Sequence, residues 1–538
     1  MAMADERDTT VAAPVPADAL PAETVRARPA PGETAPAEAA RPAAAPPPVR
    51  REPARTAPRR RRRPGTRRGA RSLRRVTGIL LVAALVATGG ATTPERSAPG
   101  WSSPGLIGGG GWPFAGVPLP PEQAEGAAYL PDSSAIRLAD GRIRLVPSGG
   151  ERPVTVDPDD PRVEQAIRSD SAWLSRGTIP TGGLDPATGA EPGYRDMAAR
   201  ALLDLRLLTR PNGASLASWY SKWRYSWPRD SAFAAAAFTV SGHPSEARRI
   251  LGFLSRVQSE DGMWAARYHP DGSAVSDGRK AQLDSLGWVL WATWFWRLHT
   301  PGGDGLEELW PMVRDAADHL ARSLDAEGLP PASSDYWERD PRHEQDPRRP
   351  TLGVVGPVLA GLRSAADLAG RRGDDAKAAE WRRASQRIAD ALERQFAPYG
   401  YPRSPVPGGL MDTSVTFVAP PFAAPDPDVT AAVEDAARKQ ALPNGGVLPG
   451  ERWSGSPDVA WTPEVAMFGL TAAASGRTDD ALSRLSWLSA HRTSLGVLPE
   501  KVGPDGRPAG PAPLGWTAAL VLLTLSSLQH PLPIPPAD

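Results

Sequence analysis

The chain has 538 residues, enough for two or three domains, and a formal net charge of +1, which points to no charged partner for the molecule as a whole. Cysteine is absent, so disulfides and thiolate metal sites are excluded. The seven histidines (His243, His269, His299, His319, His343, His491 and His530) are scattered and form no zinc-protease pair. No metal and no cofactor are expected on that count, with all-oxygen calcium sites left open.

Residues 1–75 are rich in Ala, Pro and Arg, with almost no aromatic side chains. Such a composition buries too little surface to offset chain entropy, so a disordered, cytoplasmic tail is expected. Arg50 to Arg75 is dense in arginine, with Arg59 to Arg63 in an unbroken row. Arginine runs can bind nucleic acid, but this one leads straight into the apolar run Val76 to Thr88, the positive-inside signature of a membrane-targeting segment. A membrane partner through residues 76–93 is therefore expected, and no nucleic acid. The run is short for a span and suits a signal-peptide h-region, with Gly89-Gly90-Ala91 as a cleavage site. The long tail before it argues for a signal anchor instead. On either reading the remainder is extracytoplasmic, held at the cell membrane by a single pass or secreted.

Residues 94–125, with Gly108 to Gly111 in a row, read as a linker. Residues 126–160 alternate weakly between turn signals, and two or three short strands are expected there. That element is too small to stand alone. From about residue 161 to 530 the pattern is helical and strand signals are nearly absent. Apolar periodicity predicts helices at 163–173, 198–208, 231–240, 244–257, 282–298 and 306–324. It predicts further ones at 354–369, 375–396, 429–440, 461–474, 478–490 and 515–528. Of the 18 tryptophans, 16 lie at or after Trp173, so the core belongs to this region. About twelve helices in one domain stack as an open solenoid or close into an (α/α) ring. No fixed sequence period supports the solenoid, and long Trp-rich loops favour a closed ring with a pocket at its mouth.

Three segments carry candidate chemistry. Trp223-Arg224-Tyr225-Ser226-Trp227-Pro228-Arg229-Asp230 packs three rings, two arginines and a carboxylate into eight residues just before a helix. Aromatic faces stack on sugar rings, and Arg with Asp can orient several hydroxyls. A Trp-rich helix start whose Asp230 caps or pairs locally has the same appearance. Glu338 follows Tyr336 and Trp337 in a loop, where aromatic surface desolvates a carboxyl and suits it to acid chemistry. A surface pair with Arg339 is the plainer alternative. Glu500 precedes Lys501, whose charge favours an ionised base, or is simply its surface partner. Two carboxyls in unlike surroundings are the chemical minimum for glycoside hydrolysis.

The order Trp227-Pro228-Arg229-Asp230, then Gln282-Leu283-Asp284, then Trp337-Glu338, then Pro499-Glu500 ahead of Trp516-Thr517-Ala518 resembles glycoside hydrolase family 15, over about residues 190–530. This is the glucoamylase-like family of (α/α)6 barrels. The resemblance implies an all-α, six-hairpin toroid preceded by the small β element. It implies Glu338 as general acid and Glu500 as general base of an exo-acting, inverting hydrolase of α-linked glucosides. It implies that Arg229, Asp230, Gln282, Asp284 and Arg452 hold the terminal sugar of an oligosaccharide or polysaccharide. Trp223, Tyr225, Trp227, Trp337 and Trp516 would form the pocket walls. Three departures stand against it. The front domain is short, Lys501 stands where a Gln is usual, and Gly515-Trp516-Thr517 replaces a Trp-Ser pattern. A non-catalytic carbohydrate-binding toroid, or a ring of phosphorylase or lyase chemistry, are the alternatives.

Overall fold

Proline decides where several helices begin. The computed structural model describes residues 126–146, 153–183, 193–218, 223–300, 302 and 305–537. The arginine cluster, the apolar run at 76–93 and the linker lie outside them. Helix α1 spans Pro161–Leu174, α2 Arg195–Leu208, α3 Pro228–Val240 and α4 Pro244–Val257. Further on, α5 is Leu283–His299, α6 Leu306–Ser323, α7 Leu352–Arg372 and α8 Asp375–Gln395. The last four are α9 (Pro427–Lys439), α10 (Thr462–Ala474), α11 (Thr478–Ala490) and α12 (Gly515–Gln529). Proline at the first position of α1, α3, α4 and α9 presets the helical φ where no N–H is needed. Helix α3 therefore starts three residues before the expected Ser231, which brings Arg229 and Asp230 into its first turn.

Composition sorts the helices into two layers. In α3, α5, α10 and α12 most residues are apolar and nearly all are buried. Helices buried on all sides belong inside. Helix α4 instead buries Ala247, Ile250, Leu251, Phe253 and Leu254 at three- and four-residue spacing and turns Arg249 and Arg256 to solvent. Helices α6, α8 and α9 show the same one-sided pattern.

Packing closes the inner layer into a ring. Helix α3 packs on α5, α5 on α7, and α7 on a 3₁₀ segment, Thr413–Val418, which replaces the fourth inner helix. That segment packs on α10, α10 on α12, and α12 returns to α3. Outside them α2 covers α12, α4 covers α3, α6 covers α5, α8 covers α7, α9 covers the 3₁₀ segment and α11 covers α10. This is the (α/α)6 arrangement. Its centre is filled with rings: Phe233 lies 5.0 Å from Trp288 and 5.9 Å from Trp516, and Phe422 lies 4.8 Å from Trp288. Close approach of α5 and α7 requires glycine, since a Cβ on Gly287 would sit 2.1 Å from the Pro357 carbonyl oxygen. Helix α7 is the one described helix long and apolar enough to cross a membrane, but it is a core helix, buried along its length.

Two small sheets flank the ring. Strands β1 (Ala128–Tyr129), β2 (Ile136–Arg137), β3 (Ile143–Leu145) and β4 (Val154–Val156) form an antiparallel meander in that order. Ala135, Ile143, Leu145 and Val156 pack there with Val163 of α1. The helical half also contains strands, contrary to expectation. Strands β5 (Ala460–Trp461), β6 (Lys501–Val502) and β7 (Pro508–Ala509) pair antiparallel, with Trp461 opposite Lys501. Two-residue strands are too short to leave a period-two pattern.

Candidate active site

The starts of the inner helices share one end of the ring, and four of them carry an acid: Asp230 and Asp284 in first turns, Asp412 as N-cap of the 3₁₀ segment, and Glu464 in α10. Helix N-termini favour negative charge, which eases the burial of these groups.

Arg229 is the hub of a buried polar cluster. It is 4% exposed and donates from Nη1 to Asp284 Oδ2 at 2.8 Å and to Gln282 Oε1 at 3.1 Å. Its guanidinium lies over the Trp516 ring at 5.3 Å. Its main charge partner is Asp284 rather than the adjacent Asp230, whose Oδ2 is 3.7 Å away. Burial drives the Asp284 and Asp230 carboxyls up to about 6, against the pull of Arg229. Arg229 Nε, Asp284 Oδ1 and the indole N–H groups of Trp337 and Trp516 are buried without a hydrogen-bond partner among the described residues. Buried polar groups left this way favour a ligand that brings its own donors and acceptors.

Glu338 holds a left-handed backbone conformation, with φ of 56°, and its N–H donates to the Asp335 carbonyl at 2.7 Å. Such a φ costs a non-glycine residue on the order of 1–3 kcal/mol and persists only where its surroundings enforce it. Here a buried ionic knot below the loop does so. Arg403 donates to Asp412 at 2.7 Å, to Asp335 at 3.0 Å and to Glu344 at 2.8 Å. The same guanidinium stacks on Trp337 at 3.9 Å. Asp335 accepts from Thr351 Oγ1 at 2.6 Å and Asp412 from the Tyr336 hydroxyl at 2.9 Å. Burial works to lower the Arg403 pKa, but its three carboxylates outweigh that and hold it well above the usual range.

The Glu338 carboxylate accepts from the Trp227 indole and pairs with Arg279. Arg339 is not its partner, because that side chain turns to Ser454 and over the rings of Trp337 and Trp453. Glu500 lies beside β6. Its N–H donates to Pro511 O at 2.9 Å, and its carbonyl accepts from Thr462 N at 3.0 Å. Its carboxylate accepts from the Trp223 indole at 2.8 Å and lies 3.2 Å from Lys501 Nζ.

The remaining candidates divide. Tyr225 lies 6.2 Å from Trp227, with Arg267 over both rings. Trp337 meets Trp453 edge-on at 5.2 Å and packs so close to Gly450 that a Cβ there would lie 2.6 Å from the ring. Arg452 is exposed on the same loop near Arg339, whereas Arg229, Gln282 and Asp284 form one buried cluster. Sequence reasoning missed Arg279, Arg403 and Glu464. Glu464 had a signal, being the one acid in the apolar run that forms α10. Arg403 and Arg279 had none, since Arg279 reaches Glu338, and Arg403 reaches Asp335 and Glu344, across more than fifty residues of chain.

No family model matches the chain. It is 24% identical over 352 residues to an uncharacterized glycosyl hydrolase of Methanocaldococcus jannaschii, covering 60% of this chain and 54% of that one. The chain thus spans about half the length of that relative. It is 27% identical over 313 residues to the isomaltose glucohydrolase of Kribbella flavida, covering 52% of this chain and 74% of the relative. A solved glycosidase superposes with a TM-score of 0.55 at 22% identity, over 67% of this chain and 98% of its own. The chain has the glucoamylase-like six-hairpin fold. A bacterial glucoamylase in complex with acarbose shares it, with a TM-score of 0.53 at 15% identity over 70% of this chain and 60% of its own. By its relatives the chain is a glycoside hydrolase homologue.

Proposed function

We propose that this protein is an exo-acting, inverting glycoside hydrolase of α-linked glucosides, with Glu338 as general acid and Glu500 as general base. The observation that carries the reading is the pair of carboxylates beside one buried, under-bonded polar cluster. Glu338 and Glu500 each accept one indole N–H from the Trp223 to Asp230 segment, and that segment also supplies Arg229. In this reading Arg229, Asp230, Gln282 and Asp284 hold the terminal sugar. Trp223, Tyr225, Trp227, Trp337 and Trp516 wall it, and Arg452 serves at the rim. Glu338 protonates the leaving oxygen while Glu500 activates water on the opposite face, for which carboxyls about 6.5–9.5 Å apart are required. The isomaltose glucohydrolase relative makes isomaltose the first substrate to try. The domain would act outside the cytoplasm, behind the basic and apolar residues at 50–93.

One contact favours a second reading. The Arg279 ion pair occupies the carboxylate that has to deliver a proton, as suits a toroid that binds carbohydrate without cleaving it. A single experiment separates them. The full-length protein is offered isomaltose, maltooligosaccharides, trehalose and dextran, and the anomer released is followed by NMR. Hydrolysis by inversion gives β-glucose first. If no sugar is released from any of them, while binding persists and Glu500→Gln behaves like the parent, the binding-only toroid is correct.

A further inference from the structure

Helix α10 begins Thr462-Pro463-Glu464 and is apolar for the next six residues. Glu464 is only 5% exposed, and its Oε2 has no hydrogen-bond partner among the described residues. The start of α10 is tied to the loop of Glu500. Thr462 Oγ1 donates to Pro499 O at 2.6 Å, and Thr462 N to Glu500 O at 3.0 Å. The charges felt at the Glu464 carboxyl are those of Glu500, Lys501 and Arg229, and its own is felt at Tyr336. It therefore stands among the base loop, the arginine of the binding half and the acid loop. Burial first, and then the charge of Glu500, push its pKa up to about 8. A neutral carboxylic acid offers one donor and one acceptor side by side, as a sugar hydroxyl does in return.

We propose that Glu464 is a specificity-determining residue of the sugar pocket, hydrogen-bonding one hydroxyl of the terminal sugar from the pocket floor. The proposal rests on the reading of this end of the ring as a sugar site. An orphaned buried carboxyl is costly unless something satisfies it, and Arg229, whose charge reaches it, has a buried Nε under-bonded in the same way.

The test is calorimetric titration of the full-length protein with methyl α-glucoside and its 2-, 3-, 4- and 6-deoxy analogues. The parent, Glu464→Leu, Glu464→Asp and Glu464→Gln are compared, each with a melting curve. The parent is expected to bind one analogue roughly 3- to 10-fold more weakly than the glucoside, the size of one neutral hydrogen bond. Glu464→Leu removes the group and Glu464→Asp withdraws it, so both lose that discrimination. Glu464→Gln keeps a donor in place and retains it. If Glu464→Leu fails to fold, Glu464→Asp decides. A purely structural Glu464 would shift the melting curves and leave every variant discriminating as the parent does, which overturns the proposal alone. A parent that binds no glucoside overturns it together with the reading beneath it.

Discussion

The loops of Glu338 and Glu500, the proposed acid and base, are dressed alike and built differently. Each carboxylate accepts one indole N–H and pairs with one cation: Trp227 and Arg279 for Glu338, Trp223 and Lys501 for Glu500. Lys501 is the chain neighbour of Glu500, fixed opposite Trp461 by the small sheet. Arg279 comes from the exposed stretch 271–280, far from Glu338 in sequence. A base profits from a permanent cation, because it has to stay ionised. An acid has to regain its proton, and a cation on an exposed loop is one that an arriving leaving-group sugar could displace. On the proposed assignment, cations of equal charge would do opposite things, depending on whether the backbone holds them in place.

The largest expected effects break the comparison at the carboxylates themselves. Glu500→Gln should lower kcat roughly 10²–10⁴-fold on every substrate, the scale of positioned proton transfer. Glu338→Gln should lose as much on isomaltose and far less on α-glucosyl fluoride, whose leaving group needs no proton. Equal losses on both substrates would put the acid role elsewhere. Next comes the knot beneath the acid loop. Arg403→Met leaves Asp335, Asp412 and Glu344 buried without their cation, and should cost about 3–5 kcal/mol in a urea melt.

A smaller effect sharpens the contrast between the two cations. Lys501→Met should lower kcat/KM about 5-fold, equivalent to ~1 kcal/mol for a partly exposed pair. Arg279→Met should leave it unchanged or higher. A fall of equal size in both would make Arg279 a working part of the acid loop. A last effect concerns pH and stability. The folded-state pKa of Glu464, about 8, lies above its ordinary 4.5. The folded state therefore binds this proton more tightly, and that stabilisation is full below about 4.5 and lost as pH rises through about 8. The parent should melt progressively lower across that window, and Glu464→Gln should flatten the decline. Identical slopes would mean that Glu464 is not buried as a neutral acid.

Helix identity was legible in the sequence, because buried inner helices are apolar throughout and outer ones are apolar on one face. Helix starts were less so. The apolar period begins after Pro228, but the helix begins with it, which brings Arg229 and Asp230 into the first turn. The candidate site was legible where its residues share short motifs around Arg229, Glu338 and Glu500. The sequence by itself determined the helices, the order of the motifs and a pair of carboxyls with aromatic or basic neighbours. Only the tertiary structure decided that Arg229 pairs with Asp284 across two helices, that Arg279 and not Arg339 reaches Glu338, and that Arg403 gathers three acids under the loop. The reason is physical. Burial and periodicity are local consequences of composition, whereas the choice of a charge partner depends on which helix ends meet when the ring closes.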